Sequence, residues 1–368
     1  MDQFQRRRKE LMQAVKAAKV DALLVSKAVN VSYLTGFTGD ASFLLVTPKR
    51  CIILSDERFR IQLKDECPTV EAEIRGADRN TFQLTGAIVG KLGLRDMFVE
   101  ATGLTLNEFE TLKDLCKSAN LAPKNGMVEE LRAIKDTDEV DRIRHAIRIA
   151  EQSFLAAKAL LRPADTEKGI ADLIDQFIKR LGGTGHAFSP IVGVGERSAL
   201  PHCPVTDKPL SDSWFMLVDW GAEIRQYHSD LTRVIPTPDA RRRKAVESKL
   251  QKTYTIVAEA QARAVEKLRP GIHVREADNA ARGHIRDSGF GDYFNHGLGH
   301  GLGLEVHEAP SIRWNSEDVL KAGMVVTVEP GIYLPDIGGV RVEDDFLITE
   351  DGPVRLTTLP REWDAYFN

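Results

Sequence analysis

Three things are scarce in this chain: paired cysteines, long apolar runs and an excess of charge of either sign. Its 368 residues include four cysteines, Cys51, Cys67, Cys116 and Cys203. None forms a CxxC pair, which argues against a thiolate zinc knuckle or a disulfide framework and leaves four reduced, structural thiols. No run approaches the length of a membrane span, and Met1 to Leu11 carry Arg6, Arg7, Arg8 and Lys9 without the apolar segment of a secretory signal. The expectation is a cytoplasmic protein with no membrane partner. Lys plus Arg 50 against Asp plus Glu 54 gives a net charge of -4, so nothing in the charge calls for nucleic acid, and a small neutral or zwitterionic substrate suits the chain better.

Missing motifs narrow the chemistry further. His307-Glu308-Ala309-Pro310-Ser311 lacks the second histidine of HExxH. Neither the glycines after His296 nor Gly193-Val194-Gly195 complete GxGxxG, and there is no Walker lysine loop and no GxSxG elbow. Dinucleotide, phosphate and acyl-serine chemistry are therefore unsupported. Asn30-Val31-Ser32 has the form of a glycosylation acceptor, but no signal sequence accompanies it.

The length exceeds the size at which one hydrophobic core stops growing, so two domains are expected. Ala22-Leu23-Leu24-Val25, Phe43-Leu44-Leu45-Val46, Cys51-Ile52-Ile53-Leu54 and Met97-Phe98-Val99 read as strands. Asn80 to Leu92 and Asn107 to Ser118 read as helices between them, giving an α/β domain with a mixed sheet. Turn-rich Ala122-Pro123-Lys124-Asn125-Gly126 breaks the pattern and places the boundary, for domains of 1–128 and 129–368.

The second domain opens on a long helix with a capping box at Asp136 and Glu139, an apolar stripe of Val140, Ile143, Ile147 and Phe154, and charged residues facing outward. A weak repeat follows. Leu161-Arg162-Pro163 recurs as Leu268-Arg269-Pro270, and Gly182 and Gly289 keep the same offset. Each proline follows a long helix, a second amphipathic helix comes next, and the glycine closes it. Two helix pairs, each followed by strand-forming sequence, imply an α+β domain with internal pseudo-two-fold symmetry.

Each half ends in a hairpin that carries acids. In the first, Trp214 to Val218 lead into Asp219, a turn falls near Gly221 to Gln226, and Asp230 returns on the partner strand. The second runs Met324 to Val328 into Glu329, turns through Pro330 to Gly339, and returns with Val340-Arg341-Val342-Glu343. Residues opposite one another in a hairpin lie roughly 5 Å apart, so two facing hairpins bring four carboxylates together. Such groups repel, and each costs several kcal/mol to desolvate unless a cation compensates. With His300 they form a ligand set for two hard or borderline divalent ions, which lower the pKa of a shared water and make it the nucleophile. His300 stands in a glycine-rich stretch with His296 four residues before it and His307 seven after, two further candidates for a substrate carbonyl or a proton relay.

At these residues the sequence resembles the aminopeptidase P and prolidase group of dinuclear metallopeptidases. The likeness rests on Asp219-Trp220-Gly221-Ala222, Tyr227-His228-Ser229-Asp230-Leu231-Thr232-Arg233, the His296 to His307 stretch, Val328-Glu329-Pro330-Gly331-Ile332-Tyr333 and Gly339-Val340-Arg341-Val342-Glu343-Asp344-Asp345. Asn30 to Gly39 resemble the creatinase-type N-terminal domain of the same group. The resemblance implies a pita-bread catalytic domain in which Asp230 and Glu343 bridge two metals, Asp219 completes one site, and His300 with Glu329 completes the other. It further implies that Glu329 is the general acid/base, that His202, His296 and His307 line the substrate pocket with His202 and His307 assisting catalysis, and that Arg341 supports the bridging carboxylates from behind. Manganese is the usual ion, and cobalt, zinc or iron also suit such ligands. A homodimer is implied, with Tyr33 to Phe37 lent to the neighbouring subunit; the plainer reading makes Tyr33, Leu34 and Phe37 core. Gln226 departs from the pattern, since the family often has glycine before the tyrosine.

The leading expectation is an Xaa-Pro aminopeptidase, cutting the bond before a proline at the second position of a peptide. The alternative is a prolidase limited to Xaa-Pro dipeptides, which needs a cation for the substrate's own carboxylate; Ser311 follows Pro310, and Arg313 comes two residues later. Methionine aminopeptidase shares the ligand order but needs no such N-terminal domain. A creatinase-like hydrolase, or a metal-free pita-bread binding module, should have lost ligands.

Overall fold

In the computed structural model, which describes residues 2–238 and 244–367, the chain divides into two compact units, 1–132 and 133–368. In the first unit, strands β1 (Ala22–Val25), β2 (Phe43–Val46), β3 (Cys51–Asp56), β4 (Glu71–Arg75), β5 (Asp96–Glu100) and β6 (Asn120–Lys124) form one sheet in the order β4-β3-β2-β1-β5-β6. It is mixed, as expected: β1 and β3 pair antiparallel with β2, while β1–β5, β5–β6 and β3–β4 are parallel. β1 is buried on both faces, which is why it reads as an unbroken apolar run. Helices α1 (Gln3–Ala17), α2 (Ala28–Thr35), α3 (Arg60–Glu66), α4 (Thr81–Leu92), α5 (Leu106–Leu115) and α6 (Glu129–Ala133) complete this region. Asn80 and Thr105 cap α4 and α5 with full capping boxes.

Ala122 to Lys124 do not break the pattern. They belong to β6, an edge strand, where Pro123 can be tolerated because one side of the ladder needs no donor. Tyr33, Leu34 and Phe37 are core residues of this unit. Asn30 is fully buried, donating to Glu100 (2.6 Å) and Glu129 (2.9 Å), so it is no glycan acceptor.

In the second unit, α7 (Thr137–Leu160) carries the expected capping box and apolar stripe. Two of its acids are nevertheless inside: Glu139 accepts from the Tyr227 hydroxyl, and Glu151 accepts from Thr358 and Leu359. Hydrogen bonding makes their burial tolerable. α7 packs on α8 (Glu167–Arg180), and α9 (Lys244–Val265) packs on α10 (Val274–Ile285). Gly182 and Gly289 end the second helix of each pair at φ of +97° and +87°, the left-handed conformation that glycine adopts most readily.

The remaining described strands fall into four small sheets. β7 (Gly185–His186) pairs with β10 (Ala222–Ile224), which pairs with β11 (Tyr227–His228). β8 (Ile191–Val194), β9 (Phe215–Trp220) and β12 (Leu231–Pro236) form a second sheet. β13 (Gly299–Gly301), β14 (Glu308–Ile312), β15 (Val325–Val328), β18 (Asp344–Thr349) and β19 (Gly352–Arg355) form a third, while β16 (Gly331–Leu334) pairs with β17 (Gly338–Arg341). Both hairpins are therefore longer than expected. The first carries a small tip, β10–β11, whose two-residue turn is Arg225-Gln226 with φ of 49° and 68°. The second is interrupted after β15 and again before β18. No helix among the described residues is long and apolar enough to cross a membrane.

Candidate metal centre

The acids sit where strand pairing changes hands. Asp219 lies in β9 directly opposite Thr232 of β12, and Thr232 in turn bridges to Glu343. Asp230 falls just before β12, Glu329 just after β15, and Glu343 between β17 and β18. His300 comes from β13, with its backbone N–H donating to the Thr327 hydroxyl at 3.1 Å. Ligand atoms of Asp230, His300 and Glu343 lie within 4.8 Å of one another. His300 Nε2 is 3.4 Å from Glu329 Oε1 and 3.7 Å from Asp230 Oδ2. Arg341 Nη2 meets Asp219 Oδ2 at 2.5 Å. The five candidate ligands thus occupy one neighbourhood.

Charge in this neighbourhood is unbalanced. Burial first, then the charges of Glu343, Asp219 and Glu329, holds the Asp230 carboxyl well above the usual carboxylate range. Burial, with Glu329 and Asp219, does the same to Glu343. Asp219 is also raised by burial, although Arg341 opposes the shift. Glu329 moves the other way: burial works against it, yet the hydrogen bond and charge of His300 hold it down to about 2. The buried Asp219 Oδ1 and Asp345 Oδ1 have no hydrogen-bond partner among the described residues. Carboxylate oxygens, one imidazole and a shortage of positive charge fit one or more hard or borderline divalent ions.

A cavity of about 910 Å³ opens on these groups. Its wall includes His202, His296, His307 and Arg313, with Phe188, Ile191 and Val205 on an apolar side. His202 sits on an exposed loop whose Pro201 carbonyl accepts from Arg341 Nη1 at 3.3 Å. The His307 ring meets that of His300 edge-on, with centroids 4.4 Å apart. His296 Nδ1 faces the Gly297 carbonyl at 2.8 Å, so it carries the proton, and Nε2 accepts from the Tyr333 hydroxyl at 2.8 Å. Tyr333 accepts in turn from Arg341 Nη1 at 2.8 Å, which makes a chain from Asp219 through Arg341 and Tyr333 to His296.

Residues 141–350 match the model of metallopeptidase family M24, and residues 7–134 match the creatinase/prolidase N-terminal domain. The chain belongs to family M24. Within it, the chain falls in the aminopeptidase P and prolidase group and has the pita-bread catalytic fold. It is 34% identical over 365 residues to the Xaa-Pro dipeptidase of Pyrococcus horikoshii, covering 98% of this chain and 99% of that one. Its structure is similar to the Xaa-Pro dipeptidase from Bacillus anthracis, with a TM-score of 0.91 and 34% identity over 98% and 99% of the two chains. It is also similar to the X-Pro aminopeptidase from Thermotoga maritima, with a TM-score of 0.85 and 32% identity over 95% and 99%. This M24 protein is a metal-dependent exopeptidase, and the metal-free binding module is set aside.

Sequence reasoning gave no role to Thr232, Thr327, Tyr333 or Asp345. Thr232 donates to Glu343 Oε2 at 2.6 Å and accepts from Arg341 Nε at 3.0 Å; Asp345 accepts from the Asp230 N–H at 3.3 Å. A usable signal was present: Thr232, Thr327, Arg341 and Asp345 each stand two residues from a predicted ligand, the spacing that puts side chains on one face of a strand.

Proposed function

We propose that this M24 protein is a manganese-dependent Xaa-Pro dipeptidase. The observation that carries the reading is Arg313, which lines the cavity with no carboxylate partner among the described residues. A dipeptide brings its own carboxylate to within a residue of the bond to be cut, and a planar guanidinium binds that group well. The names of the relatives support this over the aminopeptidase that the sequence put first.

In this reading Asp219, Asp230, His300, Glu329 and Glu343 would hold the divalent ions. Bound there, such ions acidify water and polarise a carbonyl oxygen. The chain's own groups do the rest. The proline nitrogen, like any amide nitrogen, leaves as an amine only when a proton is delivered to it. Glu329, held against burial down to about 2 by His300, takes a proton from the attacking water and passes it to that nitrogen as the carbon–nitrogen bond breaks. His307 and His202 steady the carbonyl oxygen, and His296 borders the substrate with both ring nitrogens already engaged. Arg341 holds Asp219 in place. A homodimer carries over from the resemblance, and a cytoplasmic location from the sequence.

Rates on Gly-Pro and Gly-Pro-Gly test the reading. A dipeptidase should favour Gly-Pro by about a hundredfold or more in kcat/KM, and Arg313→Ala should raise its KM about tenfold. Equal turnover of the tripeptide would restore the aminopeptidase.

A further inference from the structure

Helix α10 carries an ion pair that stays out of the cavity yet grips two parts of its wall. Asp278 is fully buried, and Arg282 one turn on donates to it through Nε at 2.7 Å and Nη2 at 2.9 Å. The other donor contacts go to main chain: Nη1 to the Phe294 carbonyl at 2.9 Å, and Nη2 also to the His296 carbonyl at 2.7 Å. Asp278 Oδ1 accepts the Leu298 N–H at 3.1 Å. The segment around His296 is thus held at positions 294, 296 and 298.

The same guanidinium lies over two rings, 4.2 Å from the centroid of Phe294 and 4.7 Å from that of Trp314. Trp314 follows Arg313 directly. Between the two segments, a Cβ on Gly297 would come 3.0 Å from the Ile312 carbonyl and 3.2 Å from the Arg313 Cβ, so the backbones lie in contact. His296 and Arg313 line the cavity, whereas Asp278, Arg282 and Trp314 do not.

We propose that Arg282, anchored by Asp278, is a positioning residue that sets His296 against Arg313 and thereby the length of peptide the cavity accepts. The role of Arg313 in this inference rests on the dipeptidase reading. Only arginine meets the geometry, because a planar fork can hold a carboxylate and two carbonyls while stacking on rings; lysine keeps the charge and loses the plane.

The wild-type rates on Gly-Pro and Gly-Pro-Gly decide the dipeptidase reading before any variant is made. Arg282→Lys should then raise KM about tenfold on whichever peptide the wild type prefers, hold kcat within about twofold, and narrow the gap between the two peptides. Its manganese affinity should match the wild type, and its unfolding midpoint should fall no further than that of Asp278→Asn. Added to a His296→Ala/Arg313→Ala double variant, it should cost no further kcat/KM. Trp314→Leu should reproduce the KM rise, and Trp314→Phe, which retains a ring, should not. Losses that multiply in the triple variant, or that track the unfolding midpoint, would overturn the proposal and leave the dipeptidase reading standing.

Discussion

Glu343 and Asp344 are neighbours in the chain, both are buried, and they live in opposite electrostatic worlds. Asp344 is paired with Arg233 at 2.7 Å, with neither side chain exposed, and accepts also from Thr357 and Gln261. Arg233 has each of its guanidinium nitrogens bonded: to Asp344, to the carbonyls of Thr232 and Glu343, and to those of Leu359 and Pro360. Every charge there is answered by the protein. Around Glu343, four carboxylates share one imidazole and one guanidinium, and two of the acids are driven well above their usual range. The fold completes one group with its own atoms and leaves the other short of positive charge. Burial alone therefore does not mark a binding site; burial without compensation does.

Removing one acid from the uncompensated group gives the largest effect. Asp230→Asn should lower kcat/KM on the order of 10³-fold or more. In chelator the same change should raise the unfolding midpoint by a few degrees, roughly 1 kcal/mol, because a repelling buried charge is gone. A variant less stable than the metal-free wild type would break the comparison.

On the closed side the sign reverses. Arg233→Met strands Asp344 and should cost about 3–5 kcal/mol by urea unfolding, much of it recovered when Asp344→Leu is added. Losses that simply add would show that the pair is not a unit.

The pH dependence sharpens the contrast. Asp230 and Glu343 have folded values above their ordinary 3.8 and 4.5, so the native state binds their protons more tightly than the unfolded chain. Stability from this source is complete below those ordinary values and is lost as pH rises through the raised ones. His300, raised above 6.5, adds a decline in the same direction. Glu329 works oppositely, but its loss runs from 4.5 down towards about 2, outside the window. Calorimetry in chelator should thus give a lower midpoint at pH 8 than at pH 5, and manganese should flatten or reverse that slope.

The smallest effect lies at the tip of the first hairpin. Gln226 holds a φ of 68°, a conformation that costs a residue with a side chain about 1 kcal/mol and costs glycine little. Gln226→Gly should stabilise by about that amount in thermal unfolding and leave kcat/KM unchanged.

Much of this architecture was legible because local signals and tertiary structure agree. The strands at Ala22 and Phe43 and the box at Asp136 follow from apolar runs and capping chemistry that packing reinforces. The convergence of the acids was readable because carboxylates set into strand-forming, core-facing sequence repel one another and call for a compensating charge. Other features were hidden for physical reasons. Pro123 signals a turn, and only the sheet order reveals an edge that accepts it. Glu139 and Glu151 look like a solvated helix face until Tyr227 and Thr358 arrive from far along the chain. Arg282 resembles a surface charge, since its carbonyl partners are set by a loop whose path no period predicts.

The stretch from Thr357 to Arg361 has a reach beyond its place in the chain. Arg233 grips it at Leu359 and Pro360, Glu151 at Thr358 and Leu359, and Tyr254 at Arg361. Because Arg233 also holds the carbonyl of Glu343, a nick or a bulky fusion that loosened this strap would slacken the floor beneath the acids.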